Sequence, residues 1–257
     1  MMIDFHTHVL PNIDDGSHSI VTSINMLENA SKQGVCQLVC TPHFWPLKAT
    51  IPEFLQRRAL AEGLLKSAIE GRNHPERLPF LKMGAECGWV KNISNYPDLE
   101  ALCIEDTAFL LLELPMGDWT DEVFEELYRL NTRRGIYPVI AHPNRYAKSI
   151  KACDALQSFA ELDCLFQVDV NSVLRLTERT FNFRLLTGFV PCVLGSDMHD
   201  GSHKAQRMGK ALQTIEKQLG AETVRQLSAC SAAALQNGGM NRLRSLWSRP
   251  GQIPQIP

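Results

Sequence analysis

The chain has 257 residues, of which 44% are hydrophobic and 21% charged, and its formal net charge is −2. This balance is typical of a globular protein with a sizeable core, and it excludes a general electrostatic attraction to nucleic acid or membranes. The sequence has no apolar run of about 18 residues and no N-terminal signal pattern, so we expect a cytoplasmic protein without membrane insertion. Its eight cysteines are then expected to be reduced thiols.

Short apolar runs alternate with longer amphipathic stretches along the chain. Strands are predicted over residues 2–5, 35–41, 80–86, 108–114, 136–141, 165–170 and 190–195. Helices are predicted over residues 19–33, 52–70, 121–134, 150–162, 175–187, 204–219 and 222–234. Strands without polar alternation are buried on both faces, which indicates a parallel sheet. We therefore predict a single α/β domain over residues 1–237, either a barrel or a doubly wound sheet, and a loosely packed tail over residues 238–257.

Histidines and carboxylates fall at the ends of the predicted strands. In a parallel α/β fold these ends lie on one face, and that face carries the active site. One such residue is commonly a hydrogen-bonded loop residue, but a buried cluster of them is costly unless cations neutralise it. The cluster comprises His6, His8, Asp14, Asp15, His43, Glu86, Glu113, His142, Asp197 and His199.

Nitrogen and oxygen ligands of this kind suit zinc, iron, manganese or a mixture of them. The ligands are too many for one ion, so we predict two or three divalent or trivalent metal ions that share bridging carboxylates. The remaining histidines, His18, His74 and His203, lie at a helix start or in polar loops and are not predicted ligands. The sequence lacks a Walker-type phosphate loop and the cysteine–arginine loop of thiol-dependent tyrosine phosphatases.

The motifs HTH, DDG, TPH, GAE, LLLELP, AHPNRY and GSDMH occur in this order between residues 2 and 208. With them the chain resembles the polymerase-and-histidinol-phosphatase (PHP) superfamily, and within it the bacterial capsule and exopolysaccharide tyrosine phosphatases of the CpsB/YwqE type. The resemblance implies a distorted, TIM-like (β/α)7 barrel with its active site at the C-terminal ends of the strands. It also implies a metal-dependent protein-tyrosine phosphatase that acts on a bacterial tyrosine autokinase of capsule or exopolysaccharide biosynthesis.

The resemblance also divides the predicted ligands into three groups, each holding one ion, with Glu86 bridging the first two. The groups are His6, His8, Glu86 and Asp197; Glu86, Glu113 and His142; and Asp15, His43 and His199. It leaves Asp14 with a turn or capping role.

Basic residues that would contact phosphate are implied at two places. Arg145 matches an arginine that clamps phosphate oxygens, a task for which its planar fork is suited. After the last motif the family usually has an arginine near position 204, and here either Lys204 or Arg207 would take that role. Three tryptophans in predicted loops, Trp45, Trp89 and Trp119, either line the substrate approach or pack in the core.

The mechanistic hypothesis is in-line attack on phosphorus by a metal-bridging hydroxide, which is available at neutral pH because a bound metal lowers the pKa of water to about 7. A phenolate has a pKa of about 10 and leaves without a strong general acid. The alternative is a histidinol-phosphate or other small-molecule phosphatase of the same superfamily, against which Glu113 and the DDG motif argue. An amidohydrolase would need a metal-bridging lysine at a strand end, and the complete ligand set argues against a non-catalytic metal module.

Overall fold

A computed structural model describes residues 2–117, 119–146, 155–202 and 206–248 of the chain. The strands found there follow the predicted order along the sequence. They are Met2–Thr7 (β1), Val35–Cys40 (β2), His43–Phe44 (β3), Phe80–Met83 (β4), Glu86–Gly88 (β5), Phe109–Glu113 (β6), Tyr137–Ala141 (β7), Leu165–Asp169 (β8) and Cys192–Gly195 (β9).

The α-helices of the described ranges follow most of these strands. They are Ile20–Lys32 (α1), Ile51–Glu70 (α2), Asp121–Arg129 (α3), Ala155–Glu161 (α4), Val170–Leu174 (α5), Leu176–Leu186 (α6), Met208–Leu219 (α7), Ala221–Leu235 (α8) and Met240–Trp247 (α9). Three of them begin at side chains that satisfy free backbone N–H groups: Ser19 caps α1, Thr50 and Glu53 form a capping box at α2, and Asp169 caps α5. A π-helical turn over Leu130–Arg134 continues α3.

All strand pairs in the two sheets are parallel. One sheet has the order β1-β2-β4, and the other has the order β3-β5-β6-β7-β8-β9. The structure is therefore an α/β fold with parallel sheets, as the absence of polar alternation in the strands predicts. The carboxyl ends of the strands lie at a common edge because every pair runs in the same direction.

The described residues contain nine strands where seven are predicted, because two neighbouring strand regions are each divided in two, at positions that lie side by side. The region predicted over residues 80–86 breaks at Gly84 into β4 and β5, and the chain after β2 breaks at Pro42, which has no N–H to donate, before β3. Hydrogen bonds still link the two breaks, from Gly84 N to Cys40 O at 2.9 Å and from Glu86 N to Pro42 O at 3.1 Å. The two breaks fall just before His43 and Glu86, which both belong to the cluster described below.

The first strand also contacts the segment that follows the last one. A parallel bridge pairs Thr7 with Met198, Asp197 N donates to His6 O at 2.9 Å, and His8 N donates to Met198 O at 3.0 Å. These bonds hold the HTH and GSDMH motifs side by side, although about 190 residues of chain separate them.

The expectation of a loosely packed tail is wrong for residues 240–247. They form helix α9, which contacts α8 and buries Met240, Leu243 and Trp247. The indole Nε1 of Trp247 donates to Gly188 O at 3.0 Å. The expectation fails because it rests on the basic residues and prolines of the segment, whereas Met240, Leu243 and Trp247 form an apolar stripe with i, i+3, i+7 spacing on one face of the helix. The division of the chain at residue 238 stays a prediction, and none of the helices in the described ranges has the length and apolar character needed to cross a bilayer.

Candidate metal centre

All nine predicted metal ligands lie together at the common edge of the strands. Within each of three overlapping groups, one ligand atom from every member lies within 4.8 Å of the others. The groups are His6, His8, Glu86 and Asp197; His8, Asp15, His43 and His199; and His43, Glu86 and Glu113. The resemblance implies that only Glu86 is shared between groups. In the structure His8 and His43 are also shared, because each belongs to two of the three groups.

Glu86 occupies the middle of the cluster and is 1% exposed. Its Oε2 lies 3.1 Å from His6 Nε2, 3.3 Å from His8 Nε2 and 3.0 Å from His43 Nδ1. None of these approaches has the angles of a hydrogen bond, and Oε2 has no hydrogen-bond partner among the described residues. A buried carboxylate oxygen without a hydrogen bond is costly. The surrounding nitrogens therefore converge on the space beside Oε2, as ligands of a cation do.

The two histidines of the HTH motif turn the same ring nitrogen inward. Nε2 of His6 lies 3.0 Å from Nε2 of His8, while their Nδ1 atoms donate to Gln167 Oε1 at 3.0 Å and to Asp14 Oδ2 at 2.7 Å. These outer acceptors make Nδ1 the donor of each ring, so Nε2 is the atom that each ring offers to a cation. When two nitrogens each lie about 2.0–2.1 Å from one tetrahedral ion, their distance from each other is close to the 3.0 Å found here. The pair therefore fits a shared metal.

Asp197 completes this first group. Its Oδ1 lies 3.3 Å from His6 Nε2 and 3.4 Å from His8 Nε2. Its backbone has a φ of 52°, in the left-handed region. Such conformations cost free energy in a residue other than glycine and cluster at functional sites. Here the turn aims the carboxylate back at the pair of histidines.

The DDG motif brings Asp15 to the more exposed part of the cluster, beside His43 and His199. Asp15 Oδ1 lies 3.5 Å from Nε2 of His43 and 3.5 Å from Nε2 of His199. The loop can fold back on β1 because residue 16 is glycine: a Cβ there would lie 2.3 Å from His8 O. The glycine of the motif is thus required for the position of the aspartate that precedes it.

His142 and Glu113 approach Glu86 from the side of β6 and β7. His142 Nε2 lies 2.8 Å from Glu86 Oε1 and 3.7 Å from Glu113 Oε1. His142 has a φ of 32°, and its N–H donates to Gln167 Oε1 at 2.9 Å. The second predicted group is therefore brought together, with His43 as an additional neighbour of its two carboxylates.

The carboxylates and imidazoles shift each other's pKa values strongly. Burial acts to raise the pKa of Glu86, but His6, His142 and His43 outweigh it, and the pKa lies well below its ordinary value. The pKa of Glu113 is raised, because burial and the negative charge of Glu86 outweigh the opposing charges of His43, Arg145 and His6. The centre of the cluster is thus held as carboxylate, the form that binds cations.

Arg145 borders the cluster at the carboxyl end of β7. Its Nη2 donates to Asp197 Oδ2 at 2.5 Å, its Nη1 lies 3.5 Å from Glu113 Oε1, and its side chain is 43% exposed. The guanidinium faces a cavity of about 420 Å³ that Asp169, Arg175 and Asp197 also line. Part of its donor fork is therefore open to a ligand beside the cluster.

The two alternatives for a second phosphate contact have different outcomes. Lys204 lies outside the described residues, and so does His203. Arg207 is half-buried just before α7, and within the described ranges it makes no hydrogen bond or ion pair with a residue of the cluster. Its role as a phosphate contact stays a prediction.

The chain matches one protein family, described as "Capsular polysaccharide synthesis, CpsB/CapC", over residues 2–236. This protein belongs to the CpsB/CapC family. The match confirms the predicted resemblance, and it covers all of the motifs on which that resemblance rests.

Named relatives and solved structures agree with the CpsB/CapC assignment. The chain is 25% identical to the tyrosine-protein phosphatase YwqE of Bacillus subtilis (strain 168) over 247 residues, which is 92% of each chain. It is 24% identical to the tyrosine-protein phosphatase CpsB of Streptococcus agalactiae serotype III over 237 residues, 88% of this chain and 94% of that one. A chain from the crystal structures of YwqE from Bacillus subtilis and CpsB from Streptococcus pneumoniae, described as unique metal-dependent tyrosine phosphatases, shares the fold. The TM-score is 0.77 at 23% identity, covering 92% of this chain and 95% of that chain.

Two polar residues, Gln167 and Asp14, orient members of the histidine and carboxylate cluster through hydrogen bonds, and the sequence does not predict this role. Gln167 accepts from His6 Nδ1 and from His142 N, and Asp14 accepts from His8 Nδ1, His43 N and Gly16 N. Asp14 keeps the turn role predicted for it and also orients a ligand. The sequence signal for Gln167 is a single amide inside the apolar strand LFQVD, since a buried amide requires hydrogen-bond partners.

Proposed function

We propose that this protein is a metal-dependent protein-tyrosine phosphatase of capsule or exopolysaccharide biosynthesis. The observation that carries the proposal is the convergence of nine histidines and carboxylates on one edge of the sheets, eight of them in the three overlapping groups and His142 beside Glu86, with Arg145 next to them. The names of the CpsB/CapC relatives supply the reaction class. By the same resemblance, the proposed substrate is a phosphotyrosine of a polysaccharide-export tyrosine kinase, and the proposed compartment is the cytoplasm.

The ligand set fits two or three metal ions of the manganese, iron or zinc type. Nitrogen and oxygen donors without thiolate suit these metals, and Glu86 would serve two ions, because its Oε2 faces the ring nitrogens of His6, His8 and His43 while its Oε1 faces His142. We assign the first ion to His6, His8, Glu86 and Asp197, the second to Glu86, Glu113 and His142, and the third to Asp15, His43 and His199. When bound, such ions supply a nucleophile at neutral pH and neutralise charge on phosphate.

The side chains around the ions bind and orient the substrate. Arg145 donates to Asp197 with one arm and directs its remaining N–H groups at the phosphate oxygens, which they stabilise as charge redistributes. Gln167 and Asp14 accept from the Nδ1 atoms of His6 and His8 and so turn the two Nε2 atoms toward the cluster, where they would bind an ion. The tyrosine leaves as phenolate, with a pKa of about 10, so no strong acid is required from the protein.

We also propose that the two sheets form one distorted (β/α)7 barrel. With β2 and β3 counted as one interrupted strand, and β4 and β5 as another, seven strands follow each other around the fold. The bonds that join Thr7 to Met198 and His6 to Asp197 lie at the seam where such a barrel closes. A barrel places the active site at the carboxyl ends of its strands, where the ligand cluster lies.

The test combines elemental analysis of the purified protein with phosphatase assays. We expect bound metal, hydrolysis of a phosphotyrosine peptide in preference to histidinol phosphate, and loss of turnover with a chelator. His142→Ala should lose metal and activity and remain folded. His74→Ala is the matched control, because His74 is an exposed loop histidine. Full activity of metal-stripped protein would refute the proposal, and a preference for histidinol phosphate would favour the small-molecule alternative.

A further inference from the structure

Of the three tryptophans whose role the sequence leaves open, Trp45 lies at the rim of the metal centre. Trp119 is 8% exposed and packs against Tyr146 and Phe159 in the core, and Trp89 is partly buried against that core. Trp45 is 38% exposed and lines a groove of about 870 Å³ together with Asp15 and His43. The groove therefore starts at two predicted metal ligands and has an indole in its wall.

Contacts on several sides hold the indole of Trp45 in place. Its ring stacks on the imidazole of His43, with centroids 5.3 Å apart and planes at 24°. A Cβ at position 88 would lie 2.4 Å from Cε3 of Trp45, so the indole packs directly on the backbone of Gly88. Lys48 Nζ lies 5.6 Å from the ring centroid. The indole is thus a fixed surface and not a freely rotating side chain.

A metal centre and an arginine bind the phosphate group, which aryl and alkyl phosphate esters share. Leaving-group pKa favours hydrolysis of the aryl ester, but discrimination between the two esters in binding requires a contact with the group on the other side of the ester oxygen. Two aromatic rings attract each other at centroid separations of about 4.5–7 Å, in offset or edge-to-face arrangements. An indole one ring away from His43 is placed for such a contact with a phenyl group whose phosphate sits on the ligands.

We propose that Trp45 is a specificity residue, which packs against the phenyl ring of the phosphotyrosyl side chain and so selects aryl over alkyl phosphate esters. The proposal rests on the proposed function, because it takes the cluster as the phosphate site. In this proposal, the phosphotyrosine of the substrate lies in the groove beside Asp15 and Trp45. Trp45 acts by contact with the leaving group and has no part in holding the metal.

The test measures binding of two phosphonates that are not hydrolysed, phenylphosphonate and methylphosphonate, to the metal-loaded full chain. Wild type should bind the phenyl compound more tightly than the methyl compound. Trp45→Ala should reduce that preference by roughly 2- to 10-fold, with affinity for methylphosphonate and metal content unchanged. Trp45→Phe should keep the preference. Leu47→Ala is the control, because Leu47 is 85% exposed on the same segment and does not line the groove.

The outcomes separate this proposal from the proposed function. If Trp45→Ala keeps the wild-type preference, or weakens both phosphonates equally, Trp45 does not contact the leaving group and the inference is overturned. Loss of metal from Trp45→Ala also overturns it, because the indole would then act by supporting His43. If wild type binds neither phosphonate, the cluster is not a phosphate site and the proposed function fails as well.

Discussion

The imidazole of His8 donates a hydrogen bond from Nδ1 to Oδ2 of Asp14 across 2.7 Å. Burial acts to raise the pKa of Asp14, but this hydrogen bond and the charge of His8, together with N–H donors from Gly16 and His43, lower it to about 2. The carboxylate therefore stays ionised and holds the ring of His8 with its Nε2 toward the cluster. Of the two aspartates in the DDG motif, one serves as a proposed ligand and the other orients a ligand.

Asp14→Asn should weaken metal binding and leave the fold intact. The asparagine oxygen can still accept from Gly16 N, but the amide cannot replace an ionised carboxylate that accepts from both His8 and His43. Loss of such an orienting partner typically costs about 10- to 100-fold in metal affinity. Metal titration of the stripped protein measures the change. Asp106→Asn is the control, since Asp106 is 81% exposed and remote from the cluster; equal affinities in the two variants would contradict the prediction.

Arg145→Ala should lower kcat/KM for a phosphotyrosine peptide by about 10²–10³-fold, the usual effect of removing one donor to a developing oxyanion. Arg145→Lys should recover only part of the loss, because an ammonium cannot reproduce the fork that reaches both Asp197 and phosphate. Steady-state kinetics on metal-loaded protein measure both variants. Arg175→Ala is the control: Arg175 lines the same cavity, but it is 61% exposed and paired with Glu178. A comparable loss in that variant would indicate a general effect of positive charge.

Metal removal should make stability depend on pH in a defined direction. Burial acts to lower the pKa of His6, but Glu86 and Asp197 outweigh it and raise the pKa from 6.5 to about 9. A pKa raised by folding stabilises the metal-stripped protein fully below pH 6.5, and this stabilisation is lost as the pH rises toward 9. An ion on Nε2 excludes the proton, so the loaded protein should not show this loss.

Thermal unfolding of stripped and loaded protein between pH 6.5 and 9 measures the difference. The Tm of the stripped protein should fall over this interval, and the gap to the loaded protein should widen. Metal at about 100 times its Kd adds roughly 2.7 kcal/mol to the free energy of unfolding. His6→Gln is the control, because it removes one titrating group and should reduce the slope. Burial acts to lower the pKa of His8 as well, but Asp14, Asp197 and Glu86 outweigh it and raise the pKa above its ordinary value, so His8 accounts for the slope that remains. A stripped protein whose Tm rises between pH 6.5 and 9 would contradict the prediction.

The sequence predicts the ligand cluster better than it predicts the path of the chain. His43, Glu113 and Asp197 can be assigned because the ends of parallel strands lie on one edge, whatever the details of the strands. Pro42 is a local signal for the end of β2, but the break at Gly84 and the short strand β3 beyond Pro42 depend on pairing between neighbouring strands, which no local pattern reports. The role of Gln167 was missed for a related reason, since its partners are about 25 and 161 residues away.

The terminal helix α9 illustrates how composition can mislead. Half of the residues in its sequence, MNRLRSLW, are polar or basic, yet Leu243 and Trp247 are at most 4% exposed and pack against α8. Arg244 contributes as well, because its Nη2 donates to Leu162 O at 2.9 Å. A basic stretch with an apolar stripe thus belongs to the packed structure, and the helix is expected to stabilise it.

Trp247→Ala should destabilise the protein by about 3–5 kcal/mol, because it leaves a cavity where a buried indole packs and removes the hydrogen bond to Gly188. For a chain of this size the Tm should fall by roughly 10 °C. Ser245→Ala, at an exposed position of the same helix, should change the Tm little. Thermal unfolding of both variants in the presence of metal measures the difference. Equal Tm values would mean that α9 contributes little to folding and that a loosely packed tail is the better description.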